Sequence, residues 1–195
     1  MKVIAITGGI GSGKSACLRE FERLGAHIIS CDEISHRIMM RGGCAYDEVV
    51  ERFGKGILGA DNEIDRAVLA GIVFSDKDKL EELNSITHRL IFAEINKNIN
   101  ETAAEIICIE IPLLFTIESP IDIDFKIAVI APIETRIERA MVRDGVSQEK
   151  IEARLKNQIT DEEMRRRADY VIENDGDFDA LRKKVEKVFG EIVKD

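Results

Sequence analysis

The chain has 195 residues, of which 45% are hydrophobic and 33% charged, with a net charge of −9. That is enough for one sizeable core, too little for two large independent domains, and inconsistent with wholesale disorder. The acidic balance argues against a broad nucleic-acid surface, which needs a net basic face. No apolar stretch approaches the ~18–20 residues of a membrane span, and the start runs into a strand pattern rather than a removable leader, so the expected location is cytoplasmic, without membrane or nucleic-acid partners.

In chain order, an apolar strand over Lys2–Thr7 leads into Gly8-Gly9-Ile10-Gly11-Ser12-Gly13-Lys14-Ser15, which satisfies the spacing GxxxxGK[ST] of a phosphate-binding loop. Gly8, Gly11 and Gly13 permit backbone angles and close approach that a Cβ would obstruct, so successive N–H groups can turn inward around a phosphate. Lys14 would reach the β and γ oxygens. Ser15 opens a helix expected to run to about Leu24 and is placed to hold Mg²⁺, while the positive end of the helix dipole favours the anion. A merely flexible glycine-rich turn is the competing reading, and the lysine, hydroxyl, preceding strand and following helix speak against it.

Gly25 reads as the stop of that helix, and a second strand follows over His27–Cys31. Asp32 then falls at the carboxyl end of the strand, where ligands bind in open α/β sheets. A carboxylate there can accept a hydroxyl proton or orient an acceptor; the competing role is an N-cap for the next helix. About 75 residues separate this strand from the next, patterned as helices over Glu33–Met40, Tyr46–Phe53, Arg66–Phe74 and His88–Thr102, with turns at Gly42-Gly43 and Gly54–Asp61. So long an excursion reads as a substrate-binding insertion or, alternatively, as a thickening of the core.

A third strand over Ile106–Ile111 carries Glu110 at its end, where an acid can support a metal or its water shell, and Pro112 closes it before the apolar Leu113-Leu114-Phe115. After a fourth strand over Lys126–Ala131, a charged helical stretch from Glu134 to Ala168 is broken by Gly145. Ser147 is expected to cap its second arm, and Thr160 with Glu163 has the spacing of a capping box. Arg136, Arg139 and Arg143 fall at i, i+3 and i+7, along one helix stripe. They could close over a transferred phosphoryl group, or form a solvated face paired with Glu134 and Glu138. A fifth strand over Tyr170–Ile172 completes an α/β pattern of parallel strands and covering helices. Cys17, Cys31, Cys44 and Cys108 lack metal or disulfide spacing, and His27, His36 and His88 are scattered, so a metal is expected to arrive with the nucleotide.

These residues, taken together, resemble the dephospho-coenzyme A kinases almost end to end. The phosphate loop, Leu24-Gly25, Ile28-Ile29-Ser30-Cys31-Asp32, Phe53-Gly54, Ile64-Asp65-Arg66, Leu83-Asn84-Ser85-Ile86-Thr87-His88, Ile111-Pro112-Leu113-Leu114-Phe115, Arg139 with Arg143, and Ala168-Asp169-Tyr170-Val171-Ile172 with Asn174 carry the likeness. Ser30, Ala16, Arg89 and Thr116 depart from the family's usual residues, and Arg136 matches no characteristic one.

The resemblance implies a P-loop, nucleoside-monophosphate-kinase-like three-layer fold with a five-stranded parallel sheet, a helical substrate-binding insertion and a helical lid. The core would comprise about 1–32, 105–133 and 168–195, the insertion about 33–104 and the lid about 134–167. It implies transfer of the ATP γ-phosphoryl group, with Mg²⁺, to the ribose 3′-hydroxyl of dephospho-CoA, by a monomer or weak homo-oligomer. Asp32, Lys14, Arg139 and Arg143 would be catalytic; Gly9, Gly11, Ser12, Gly13, Lys14, Ser15 and Ala16 would bind the nucleotide; Ser15 and Glu110 would hold the metal, Glu110 directly or through water. Two other readings stay open: a kinase for another small acceptor such as a nucleotide, and a non-catalytic nucleotide switch, for which Asn96-Lys97-Asn98-Ile99 lacks the final aspartate of the guanine-reading NKxD motif.

Overall fold

In the computed structural model, which describes residues 1–117 and 119–195, β1 (Lys2–Thr7) lies at the middle of a five-stranded sheet. The other strands are β2 (His27–Ser30), β3 (Ile106–Glu110), β4 (Phe125–Ile130) and β5 (Tyr170–Glu173), in the order β2-β3-β1-β4-β5. β1 pairs parallel with β3 and β4, and β4 with β5. The strands read as nearly continuous Ile, Val and Ala because both faces are covered, as parallel sheets require. Asp124 accepts from Val3 N at 2.7 Å and Asp169 from Lys126 N at 2.7 Å, fixing the entry to two strands.

The chain divides into two compact units. The first, Met1–Ile29 with Thr102–Asp195, carries most of the sheet. Its core gathers Ile4, Ile6, Phe21, Val129, Ile172 and Val185, contributed by the strands, by α1 (Lys14–Arg23) and by the carboxyl-terminal helix (Phe178–Lys194). α1 ends as expected, with Gly25 at φ +99 just beyond it. Glu20 is buried on α1 yet satisfied, accepting from Arg23 at 2.7 Å and facing Arg182 at 3.4 Å.

The second unit, Ser30–Glu101, contains α2 (Cys31–Met39), α3 (Tyr46–Phe53), a 3₁₀ turn (Lys55–Ile57), α4 (Arg66–Val73) and α5 (Lys77–Glu101). Asp65 caps α4, accepting from Ala67 N and Val68 N at 2.9 and 3.1 Å. α5 starts at Lys77, about three turns before the expected His88, because Asp76 accepts from Asp78 N and Lys79 N at 3.1 and 3.3 Å and so starts the helix. Its first turns bury nothing: the buried face begins only at Ile86, which is where an apolar repeat becomes readable. Cys31 likewise belongs to α2 rather than to β2, one residue short of the expected strand end.

The stretch after β4 forms α6 (Ile133–Asp144), α7 (Gln148–Leu155) and α8 (Asp161–Arg167), followed after β5 by α9, the helix over Phe178–Lys194. Gly145 ends α6 in the left-handed region at φ +64. Ser147 holds the N-cap position of α7 without a backbone bond; its hydroxyl instead hydrogen-bonds Glu149 and holds that carboxyl below its usual range. Thr160 accepts from Glu163 N at 3.2 Å, its half of the expected box, while Arg166 engages the Glu163 carboxylate at 2.6 Å. No helix among the described residues is long and apolar enough to cross a membrane.

Candidate active site

The loop between β1 and α1 closes as a turn in which Ser12 N donates to Gly9 O at 3.2 Å. Gly11 has φ +73, and the only described non-glycine with positive φ is Asn62, so Ile10 and Gly11 form the type II pair that requires a left-handed third residue. Gly13, at φ +94, occupies the N-cap of α1 with no side-chain cap, and no acid stands in the first turn. The helix therefore meets the loop with unscreened N–H groups, a ready site for an anion. Lys14 Nζ donates to Gly8 O at 2.8 Å, and Ser15 is exposed one residue further along. Ala16 lies on the inner side of α1 against the core, its N–H bonded to Gly13 O at 3.0 Å.

Side chains distant in sequence brace the outer side of the loop. Arg136, only 4% exposed, donates from Nε to Ile10 O at 3.0 Å, from Nη1 to Asp161 Oδ1 at 2.9 Å and from Nη2 to Gln158 Oε1 at 3.2 Å. Gln158 Oε1 also accepts from Ile10 N at 3.0 Å. Buried Asn174 donates from Nδ2 to Ser12 O at 2.9 Å. A Cβ at Gly9 or Gly11 would collide with Arg136, and one at Gly13 with Asn174, so the absence of side chains at these positions is what admits the braces. The motif announces the loop but gives no sign of Arg136, Gln158 or Asn174 as its support. Each stands among other polar or charged residues, beside Thr135, Asn157 and Glu173, so nothing in its local sequence marks it.

The arginine stripe on α6 does not act as one unit. Arg136 is committed to the loop backbone, and the reading of three guanidinium groups facing one ligand is corrected accordingly. Arg139 is half-buried, and its Nη1 is shielded from solvent with no hydrogen-bond partner, 3.7 Å from where a Gly13 Cβ would stand. Arg143, at the far end of α6, is exposed and holds Asp144 through two bonds of 2.7 and 3.2 Å; Arg154 joins Asp144 at 3.0 Å. That hydrogen-bonded pairing, chiefly with Arg143, holds the Asp144 carboxyl below its usual range.

The loop carries a second orphan, the buried Ser12 Oγ. Two buried donors without partners beside an uncapped helix start are costly unless an anion satisfies them, so the residues present fit the phosphates of a nucleotide. Glu110 is half-buried at the end of β3, in register with Ile6, while Ile111 N donates to Ile6 O at 3.0 Å and Thr7 Oγ1 to Pro112 O at 3.2 Å. Among the described residues no three His, Cys, Asp or Glu side chains converge, so a hard cation held here would draw most ligands from phosphate and water, as Mg²⁺ does.

Asp32 belongs to the second unit, two residues past the last strand residue of β2, exposed in the first turn of α2. It is not the cap of that helix. Ser30 is, accepting from Glu33 N at 3.4 Å.

Comparison with known proteins agrees along the whole chain. The dephospho-CoA kinase family model matches residues 2–180. The chain is 42% identical to the dephospho-CoA kinase of Aquifex aeolicus with both chains fully covered, and 40% identical to that of Carboxydothermus hydrogenoformans over 95% of this chain and 91% of the other. Among solved structures, a Thermus thermophilus protein superposes with TM-score 0.85 at 31% identity over 97% of each chain. The dephospho-CoA kinase of Campylobacter jejuni superposes with TM-score 0.71 at 32% identity, covering 100% of this chain and 98% of its own. A shikimate kinase from Acinetobacter baumannii, at 17% identity and TM-score 0.53, shares the P-loop kinase fold alone.

Proposed function

The chain belongs to the dephospho-CoA kinase family, and we propose that in its reaction, ATP-dependent phosphorylation of the ribose 3′-hydroxyl of dephospho-CoA, Asp32 is the group that orients and deprotonates the acceptor. The observation that carries this role is the division of labour at the start of α2: Ser30 supplies the cap, which leaves the exposed Asp32 carboxylate unclaimed by the helix terminus. A carboxylate at the carboxyl end of a parallel strand is suited to accept the hydroxyl proton as the oxygen attacks phosphorus.

ATP binds with its phosphates at the loop over Gly9–Ala16. Lys14 leaves Gly8 O for the β and γ oxygens and neutralises charge on the transferring group. Arg139 adds a second positive charge from α6, its orphaned Nη1 gaining a partner when phosphate arrives. Arg143 can join only by releasing Asp144. Magnesium, when bound with the nucleotide, supplies neutralisation of phosphate charge, and Ser15 and Glu110 are the residues that would hold it, Glu110 directly or through water. Residues 33–104 serve as the acceptor-binding insertion and 134–167 as the lid. The enzyme works in the cytoplasm as a monomer or weak homo-oligomer, on a small substrate rather than on nucleic acid or membrane.

The test is conversion of dephospho-CoA to CoA with ATP and Mg²⁺, read by product mass, with nucleoside monophosphates as competing acceptors and Asp32→Asn as control. Selective conversion that the substitution abolishes is expected. Full turnover by Asp32→Asn with unchanged ATP binding would overturn the base assignment, and preference for a nucleoside monophosphate would overturn the acceptor.

A further inference from the structure

We propose that Arg136 and Gln158 are positioning residues for phosphoryl transfer, which hold the Ile10–Gly11 peptide in the one orientation that presents the Gly11 N–H to the nucleotide phosphates. The proposal rests on the kinase reading and adds to it a requirement outside the phosphate-loop motif. A trans peptide points its C=O and its N–H in opposite directions. Arg136 Nε holds Ile10 O on the α6 side at 3.0 Å, so the Gly11 N–H faces away from α6, toward the concavity of the loop. In a type II turn this central peptide is the plane that can rotate: flipping it gives the type I arrangement with its carbonyl on the opposite side, which a glycine at the third position does nothing to prevent.

The lock against that flip is therefore tertiary. Arg136 takes Ile10 O, Gln158 takes Ile10 N, and the two side chains are themselves joined at 3.2 Å. Asp161, at the start of α8, balances the buried guanidinium at 2.9 Å. Gln158 lies within the connection between α7 and α8 and Asp161 follows it as the first residue of α8, so the shape of the phosphate loop depends on that connection being docked. No part of the phosphate-loop motif encodes this dependence.

The experiment compares Arg136→Lys, Gln158→Ala and the parent. Lysine keeps the charge facing Asp161 but cannot reach Ile10 O, Gln158 and Asp161 at once, because it lacks the planar fork. Both variants are expected to remain folded, with kcat/KM for ATP reduced roughly tenfold to a hundredfold by misplacement of the loop. Dephospho-CoA affinity measured without nucleotide is expected to stay at the parental value. A second readout needs no catalysis: the ¹⁵N–¹H resonance of Gly11 should shift strongly when ADP is added to the parent and weakly in either variant. Folded variants with parental kcat/KM for ATP and a parental Gly11 shift would overturn the proposal, as would equal losses toward both substrates, which mark a merely structural role. If the parent failed to phosphorylate dephospho-CoA, the kinase reading would fall, and the Gly11 shift would still decide the role of Arg136.

Discussion

The two ends of α6 carry the same side chain to different fates. At its beginning, Arg136 is buried and spends three bonds on the phosphate loop and its supports; at its end, Arg143 lies in solvent and grips the neighbouring Asp144. Between them Arg139 keeps a buried nitrogen without a partner. Helical spacing puts the three on one stripe, but what each does is set by what the fold packs against that turn: loop backbone at the first, the desolvated edge of the loop beside Gly13 at the second, water at the third. Periodicity nominates candidates, and desolvation chooses among them.

The largest expected effect sets the scale for this contrast. Lys14→Ala should lower transfer by ~10³-fold or more while the fold survives, since a preorganised positive charge on the transferring group is lost; near-normal turnover in a steady-state assay would remove Lys14 from the mechanism. Asp32→Asn comes next, with kcat down by ~10²–10⁴-fold and ATP affinity by calorimetry unchanged.

The contrast itself is tested by alanine at each end of α6. Arg139→Ala should cost ~10²-fold in kcat/KM, and Arg143→Ala less than about tenfold, because only the former has a desolvated nitrogen at the loop. Equal losses would mean that Arg143 abandons Asp144 during turnover and that the static difference misleads. Arg136→Ala should destabilise the fold by about 3 kcal/mol, by leaving Gln158 and Asp161 without their partner, visible as a lowered midpoint in urea. The smallest effect concerns pH. Because Asp144 is held below its ordinary value, its pair contributes stability above about 3.8 and loses it as pH falls through the lower folded value. Arg143→Ala should therefore raise the Asp144 carboxyl titration seen by NMR and slightly flatten the acid limb of the stability curve.

Much of this was legible because it is local. A strand, three glycines, a lysine and a hydroxyl at fixed spacing announce the phosphate loop, and runs of Ile and Val announce the parallel strands to within a residue at most ends. The start of α5 was hidden because its first turns bury nothing and leave no apolar repeat. Ser147 takes the expected N-cap position, but its hydroxyl turns to Glu149 rather than to the backbone. Arg136, Gln158 and Asn174 were illegible as loop supports because their partners are backbone atoms about 126, 148 and 162 positions away. Even Asp32 could be separated from a capping role only once Ser30 was seen to hold that position.

The sheet order has a consequence for how the protein comes into being. β1 and β2 are the first strands to be synthesised, yet neither touches the other, because β3 lies between them. Lys2 pairs with Ile106, so at ~5–20 residues per second a nascent chain waits roughly 5–20 s before its first strand has any neighbour. The helices of Ser30–Glu101 can meanwhile close on one another, since their pairings span shorter separations than Lys2 and Ile106 do. The phosphate loop waits longer still, since its braces come from Arg136, Gln158 and Asn174. The most recognisable stretch of the chain is thus made first and finished last, and a ribosome-bound fragment ending before Asn174 would display the nucleotide motif without a working nucleotide site.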